Sequence, residues 1–263
     1  MMIRISVLMG IYNCASTLVE ALDSLYAQTY QGFKVILCDD GSTDDTYAVA
    51  KDYAAQHDNI VLLRNERNIK LAATLNHCLE YADTEYIARM DGDDVSLPTR
   101  FEKEIAFLDK HLEYVLVSCP MLYFDENGVW KEGKAKAMPV KKDLRRMPCF
   151  CHAPVLMRTN VLKEVGGYTT GLKTERLEDY YLWYKIYKKG YIGYNLQECL
   201  YMMRDDKNAI SRRKISDRLR GFKTSIEIRR GLGLNWPIMS GFPDLLKVLV
   251  PPFLMRWIRK MKK

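Results

Sequence analysis

Phe33-Lys34-Val35-Ile36-Leu37-Cys38-Asp39-Asp40-Gly41-Ser42 is the stretch whose reading decides the fold. Its first half is apolar enough for a strand buried on both faces, as strands of parallel sheets are. It then turns abruptly into acids, glycine and serine, the chemistry of a tight turn. Ser42 reads as a helix N-cap, with Asp45 adding negative charge to the first turn, and a helix to about His57 follows. Upstream, Ile3 to Met9 reads as a strand, and Thr17 to Ala27 as a helix with Leu18, Ala21, Leu22 and Leu25 at helical spacing. Downstream come a strand over Ile60 to Leu63, a helix over Leu71 to Tyr81 and a strand over Tyr86 to Met90. Strand and helix alternating in this way predict right-handed crossovers and a parallel α/β sheet, which binds ligands at the carboxyl ends of its strands.

The polar residues fall at those ends. The first strand runs out at Tyr12-Asn13 and the second at Asp39-Asp40-Gly41-Ser42. Arg64, Arg67 and Asn68 follow the third, and Asp91-Gly92-Asp93-Asp94 follows the fourth. Any one of these reads equally well as a solvated turn; four together on one rim point to a ligand site. In an extended segment residues i and i+2 face the same way, so Asp91 and Asp93 repel unless a cation lies beside them. Oxygen-only ligands favour Mg²⁺ or Mn²⁺ carrying substrate phosphates. The intervening glycine would let a ligand approach the backbone closely. An acid at Asp39 suits a base or a ribose hydroxyl.

Composition sets bounds. With 263 residues, 48% hydrophobic and 28% charged, the chain can bury a full α/β core. The seven cysteines show no Cys-x-x-Cys spacing, and no secretory signal opens the chain, so reduced thiols in a cytoplasmic protein are expected. Cys149-Phe-Cys151-His152 lacks a second ligand pair, which disfavours structural zinc. The net charge of +7 belongs to the C-terminal part: from Arg204 onward the balance is +11, which leaves −4 for residues 1–203.

Several segments, in order, resemble family 2 glycosyltransferases of the GT-A fold. They are Val7-Leu8-Met9-Gly10-Ile11-Tyr12-Asn13, then Cys38 through Thr46, Arg67-Asn68 through Asn76, and Ala88-Arg89-Met90-Asp91-Gly92-Asp93-Asp94. Pro98 and Arg100, His152-Ala153-Pro154-Val155, Val165-Gly166-Gly167-Tyr168 and Glu178-Asp179-Tyr180-Tyr181-Leu182-Trp183 continue the likeness. It spans about residues 3–204. It implies a Rossmann-like, mostly parallel sheet flanked by helices, with a catalytic domain over 1–204. Residues 1–95 would be the nucleotide-binding half and 96–204 the acceptor half, with a basic helical extension over 205–263. It also implies an enzyme that moves a sugar, UDP-hexose being the expected donor, with inversion, onto a glycan or lipid-linked glycan in surface polysaccharide synthesis.

Residue by residue, the resemblance implies that Asp39 binds the base, Arg67 or Asn68 lies beside it, and Tyr12 packs on the nucleotide. Asp91 is expected near the ribose, Asp93 on the divalent metal, and Asp179 as catalytic base. An inverting displacement needs such a base on the face opposite the leaving group, and a cation for the departing diphosphate. Glu178-Asp179 also reads as an ordinary helix start, with Leu182, Trp183 and Ile186 following at helical spacing. The chain departs from the family pattern twice. Lys70 stands where glycine is common, a cation either on phosphate or merely solvated. Arg204-Asp205-Asp206 stands where Arg-x-His is common, so Asp206 is a candidate metal ligand in place of the histidine.

His152 reads either as an acceptor contact or as a structural histidine. Trp183 and the tyrosines around it read mostly as core. Asn127-Gly128 is expected to turn a hairpin. Beyond Arg204, Ile215, Leu219, Phe222 and Ile226 fall at helical spacing. Phe242 to Ile258 is apolar but broken by Lys247 and Pro251-Pro252 and ends in Arg259-Lys260-Met261-Lys262-Lys263. This reads as an anchor lying on the inner membrane face rather than a spanning helix, the alternative being a helical cap on the domain. Of the rival functions, a nucleotidyltransferase would carry a glycine-rich loop where Tyr12-Asn13-Cys14-Ala15 stands. A non-catalytic nucleotide or carbohydrate binder would not need Asp39, Asp93 and Asp179 together. Nucleic-acid binding is disfavoured by the few tail aromatics, which cluster with aliphatic residues.

Overall fold

The structure is a computed structural model that describes residues 2–145, 148–205 and 215–235. Asp206 and the apolar–basic tail over 242–263 lie outside the described residues. The first part alternates strand and helix: β1 (Ile5–Ile11), α1 (Leu18–Tyr26), β2 (Phe33–Asp39), α2 (Thr46–Ala54), β3 (Ile60–Arg64), α3 (Leu71–Glu80) and β4 (Tyr86–Arg89). There follow β5 (Val95–Ser96), α4 (Arg100–Lys110), β6 (Tyr114–Ser118), β7 (Leu122–Asp125), β8 (Gly128–Glu132) and a 3-10 turn over Lys141–Arg145. The described chain is completed by β9 (Leu156–Arg158), α5 (Thr159–Glu164), α6 (Glu178–Lys188), β10 (Ile192–Asn195), β11 (Tyr201–Arg204) and α7 (Ile215–Gly231).

Seven strands form the central sheet in the order β10-β6-β9-β4-β1-β2-β3. β1 runs parallel to both β2 and β4, β2 to β3, and β10 to β6, whereas β9 is antiparallel to β4 and β6. The expected α/β class and mostly parallel sheet are therefore present. Burial alternates with the strand period. Val7, Met9, Val35 and Leu37 point into one core with Leu22 of α1 and Phe101 of α4. Leu8, Ile36 and Cys38 point into the other with Leu75 of α3, Trp183 of α6 and Ile228 of α7. Each such side chain removed from water contributes roughly 1.5–3 kcal/mol before entropy is counted. Tyr180, Trp183, Tyr184 and Tyr187 are buried, in line with their reading as core.

A smaller sheet, ordered β5-β11-β7-β8, is built from strands interleaved in sequence with β6, β9 and β10 of the central sheet. β7 and β8 form the hairpin expected at Asn127-Gly128. β11 pairs with β5 and β7, which carries Tyr201 and Arg204 to the loop that follows β4.

Two local expectations are corrected. The second helix begins at Thr46, not behind Ser42. Ser42 turns inward instead: its N–H donates to the Asp39 carboxylate at 3.3 Å, and its hydroxyl accepts the Asn13 N–H at 3.0 Å. Asp44 accepts the Thr46 N–H at 3.0 Å. In α7 the buried face is Thr224, Ser225, Ile228 and Arg229, with buried Leu232 just beyond the helix, while Leu219 is exposed. The helix is rotated from the expected stripe because polar groups decide its seat. Arg229 donates to the Arg145 carbonyl (2.8 Å), Thr224 to the Lys173 carbonyl (3.0 Å), and Gly231 lies so close to the Tyr184 ring that a side chain would collide with it. Among the described residues no helix is long and apolar enough to cross a membrane.

Arg100 and Glu104 form a fully buried ion pair one turn apart on α4. Arg100 also donates to the carbonyls of Arg89 (3.0 Å) and Val155 (3.4 Å), tying α4 to the end of β4. Removing one partner of a buried pair strands the other charge. Glu104→Ala is expected to lower stability by about 3–5 kcal/mol in urea unfolding, and a loss below about 1 kcal/mol would show that Arg100 finds adequate partners without it.

Candidate active site

β1, β2, β3 and β4 end side by side on one rim. At the end of β2, Asp39 is fully buried. It accepts the Ser42 N–H and, at 3.2 Å, the Nε of Arg64 from the end of β3. Arg64 in turn lies over the Tyr47 ring, 4.1 Å from its centroid. Asp40, also buried, is a junction: it accepts from Asn65 (2.9 Å), from the Ile69 N–H (2.9 Å) and from the Lys70 N–H (3.0 Å). Three bonds from one loop onto one carboxylate fix the course of residues 65–70.

Gly41 has φ +68°, and a Cβ there would stand 2.7 Å from the Arg67 backbone, so only glycine fits this crossing. Asn13, at φ 49°, accepts the Thr43 N–H at 2.9 Å and locks the loop after β1 to the loop after β2. Tyr12 is left half-exposed on the rim.

Beyond β4 the chain meets a concentration of negative charge. Carboxylate oxygens of Asp91, Asp93 and Asp94 lie within 4.8 Å of one another. Arg89, buried beneath them, donates to both oxygens of Asp91, one bond being 2.6 Å. The Asp91 N–H donates to the Tyr201 hydroxyl (3.2 Å). Arg204 gives its N–H to Asp94 (2.8 Å) and its Nε to the Asp93 carbonyl (2.9 Å), pairs with Glu20 and covers Phe124. One oxygen of Asp94 is buried and without a hydrogen-bond partner. Burial, together with the charges of Asp91 and Asp93, pushes the Asp94 carboxyl well above the carboxylate range; burial and Asp91 raise Asp93 as well. An orphaned oxygen and unfavourably ionised acids are what a divalent cation would relieve, so these residues fit one. Gly92 serves packing rather than ligand approach: a Cβ there would fall 2.7 Å from the Cys14 sulfur and 2.9 Å from Ile11. Burial and Asp93 push the Cys14 thiol up to about 12.

On the other side, formed by the second half of the chain, Glu178 and Asp179 open α6, as expected of a helix start. The Tyr180 N–H donates to Asp179 at 2.6 Å. Glu178 keeps a buried oxygen without a partner, and burial raises its carboxyl, as does the Asp179 charge to a lesser degree. His152 bonds to the Tyr168 hydroxyl (3.0 Å) edge-on to Trp183, and burial followed by the charge of Arg89 holds it neutral. It is packed between Tyr168 and Trp183.

A cavity of about 300 Å³ joins the two sides, lined by Gly10, Ile11, Tyr12, Asp40, Asn68, Lys70, Leu71, Thr74, Glu175, Arg176 and Glu178. Of the residues expected from sequence, Tyr12 and Asn68 line it. Asp39 sits at the base of the rim, Arg67 lies on the loop that crosses Gly41, and Asp91 and Asp93 stand in the acidic cluster. The sequence reading did not single out Arg64 on Asp39, the Asp40 junction, Arg89 under Asp91, or the Arg204–Asp94 link. Asp40 and Asp94 each stand next to a chosen acid, and that adjacency was the available signal.

The pattern of glycosyl transferase family 2 matches residues 6–166. EpsE of Bacillus subtilis, named as a glycosyltransferase, is 45% identical over 214 residues, 81% of this chain and 77% of that protein. An Escherichia coli UDP-Gal:α-D-GlcNAc-diphosphoundecaprenol β-1,3-galactosyltransferase is 32% identical over 217 residues, 80% of this chain and 77% of that protein. Among solved structures, Staphylococcus aureus TarS 1–349 in complex with UDP-GlcNAc superposes with a TM-score of 0.71 at 20% identity, over 94% of this chain and 72% of that one. That likeness shows the fold.

Carboxyls whose folded pKa is raised lose their stabilising protonated form as pH rises through the folded value. Asp94, whose carboxyl is pushed up to about 8, therefore predicts that the metal-free protein melts at a lower temperature at pH 8 than at pH 6, and that Mn²⁺ raises the Tm more at pH 8. Calorimetry in EDTA and in Mn²⁺ checks this. An equal Mn²⁺ shift at both values would mean that the cluster carboxyls do not compete with the ion for protons.

Proposed function

Because the chain belongs to glycosyl transferase family 2, we propose that it transfers a hexose from a UDP-linked donor, with inversion, to a glycan or lipid-linked glycan acceptor. One observation carries this reading. Two groups of acids occupy the ends of β2 and β4, on either side of β1, one already supplied with a protein cation and one left short of charge compensation. Asp39 has Arg64, whereas Asp93 and Asp94 have raised pKa values and an orphaned oxygen. A nucleotide diphosphate with a divalent cation matches that asymmetry: a neutral base with N–H groups at one end, a metal-bridged diphosphate at the other.

In this reading Asp39 accepts from the base, with Arg67 and Asn68 beside it, and Tyr12 packs against the nucleoside. Asp91, oriented by Arg89, takes the ribose. Asp93, with Asp94, would hold Mg²⁺ or Mn²⁺. A bound ion of this kind supplies charge neutralisation to the departing diphosphate. Asp179 takes the proton of the acceptor hydroxyl as that oxygen attacks the anomeric carbon from the face opposite the diphosphate. It stands in the first turn of α6. The named acceptor of the E. coli relative, a sugar on a lipid diphosphate, supports a lipid-linked acceptor and work at the inner face of a membrane.

Donor hydrolysis by the purified protein tests the reading. UDP-Glc, UDP-Gal, UDP-GlcNAc, GDP-Man and a dTDP-sugar are each incubated with Mn²⁺, Mg²⁺ or EDTA. One UDP-sugar is expected to turn over, only with metal, and not with Asp93→Ala. Asp179→Asn is expected to keep UDP binding and to lower transfer by about 10²–10⁴-fold. A protein that turns over no donor would be a binder built on this fold.

A further inference from the structure

We propose that Lys70 and Arg176 form a cationic clamp for a diphosphate group, separate from the acidic cluster. The inference rests on the nucleotide-sugar reading of the site and extends it. Lys70 has φ 76° and ψ 156°, a backbone region populated almost entirely by glycine. A lysine kept there is strained, and its surroundings enforce it: the N–H is held by Asp40 at 3.0 Å, and the carbonyl accepts the Thr74 N–H at 3.0 Å. Arg176 also has positive φ, 63°. The two residues come from different loops, one before α3 and one before α6, and line the same cavity as Tyr12. Among the described residues neither the Lys70 ammonium nor the Arg176 guanidinium has a hydrogen-bond or ion-pair partner.

The carboxylates in the same wall do not cancel these cations. Asp40 is saturated by its three donors, Glu175 faces Arg220 at 3.8 Å, and Glu178 is one carboxylate against two cations. Two unpartnered cations on strained backbones across a cavity of about 300 Å³ fit an anion with several oxygens. The arginine matches phosphate oxygens as a fork, and the lysine as a point charge. A diphosphate reaches this site from two sources: the nucleotide donor, or a lipid-linked acceptor.

Calorimetry in Mn²⁺ on the full chain separates them, with UDP, UMP and farnesyl diphosphate as probes and Lys70→Gly and Arg176→Gly as variants. Each variant is expected to lose about tenfold in affinity for one diphosphate, the scale of a charge-assisted hydrogen bond, with UMP binding unchanged. Lys70→Gly is also expected to raise the Tm, since the strain is removed. A loss confined to UDP assigns the clamp to the donor; a loss confined to farnesyl diphosphate assigns it to the acceptor. Unchanged affinity for both diphosphates in both variants overturns the clamp. If the wild type binds no UDP, the nucleotide-sugar reading fails, and farnesyl diphosphate alone decides the clamp; binding of neither probe overturns it too.

Discussion

The crowding of carboxylates at the end of β4 is the constraint around which the rest of the site is arranged. Three acids with oxygens within 4.8 Å cannot all ionise without compensation. The fold supplies part of it. Arg89 chelates Asp91 from below, Tyr201 accepts the Asp91 N–H, and Arg204 fastens Asp94 and the Asp93 carbonyl from the smaller sheet. It leaves Asp93 and one oxygen of Asp94 unmatched. The shortfall costs stability, and a cation carrying phosphate would remove it. The smaller sheet therefore shapes the acidic cluster, because without β11 neither Tyr201 nor Arg204 would reach this loop.

The same logic organises the ends of β2 and β3. Asp39 is matched by Arg64, and Asp40 by three donors of the 65–70 loop, so both acids are buried yet compensated. Asp40 also holds Lys70 in a conformation that lysine otherwise avoids. A buried, saturated carboxylate is thus what allows an exposed cation to stand at the cavity. Arg100 extends the chain of support downward, linking α4 to the Arg89 carbonyl behind the acidic cluster.

Much of this was legible in the sequence. β1, β2 and β4 announced themselves because a strand buried on both faces must be apolar nearly throughout, and their polar ends, with that of the half-buried edge strand β3, marked the rim. Asp39, Asp91 and Asp93 could be picked out by position alone, and Asn127-Gly128 declared its hairpin. What stayed hidden depends on contacts between distant segments. The Arg204 bond to Asp94 joins residues 110 positions apart, and β9 inserts antiparallel between β4 and β6. Ser42 looked like a helix cap because serine before a helix usually is one; the nearby Asp39 carboxylate and the Asn13 N–H outcompeted the helix. The α7 stripe misled because Arg229 and Gly231, not the apolar residues, set which face is buried.

The central claim is that the acidic cluster and the Asp39 rim form one site, coupled through a metal-bridged diphosphate. Titration of UDP into the protein in Mn²⁺ and in EDTA measures that coupling directly. Mn²⁺ is expected to tighten UDP binding at least about tenfold, the size of an ordinary linkage energy, and Asp93→Ala should abolish the difference while leaving the weak metal-free affinity intact. UDP binding of equal strength in Mn²⁺ and EDTA, or a metal effect that survives Asp93→Ala, would contradict the account.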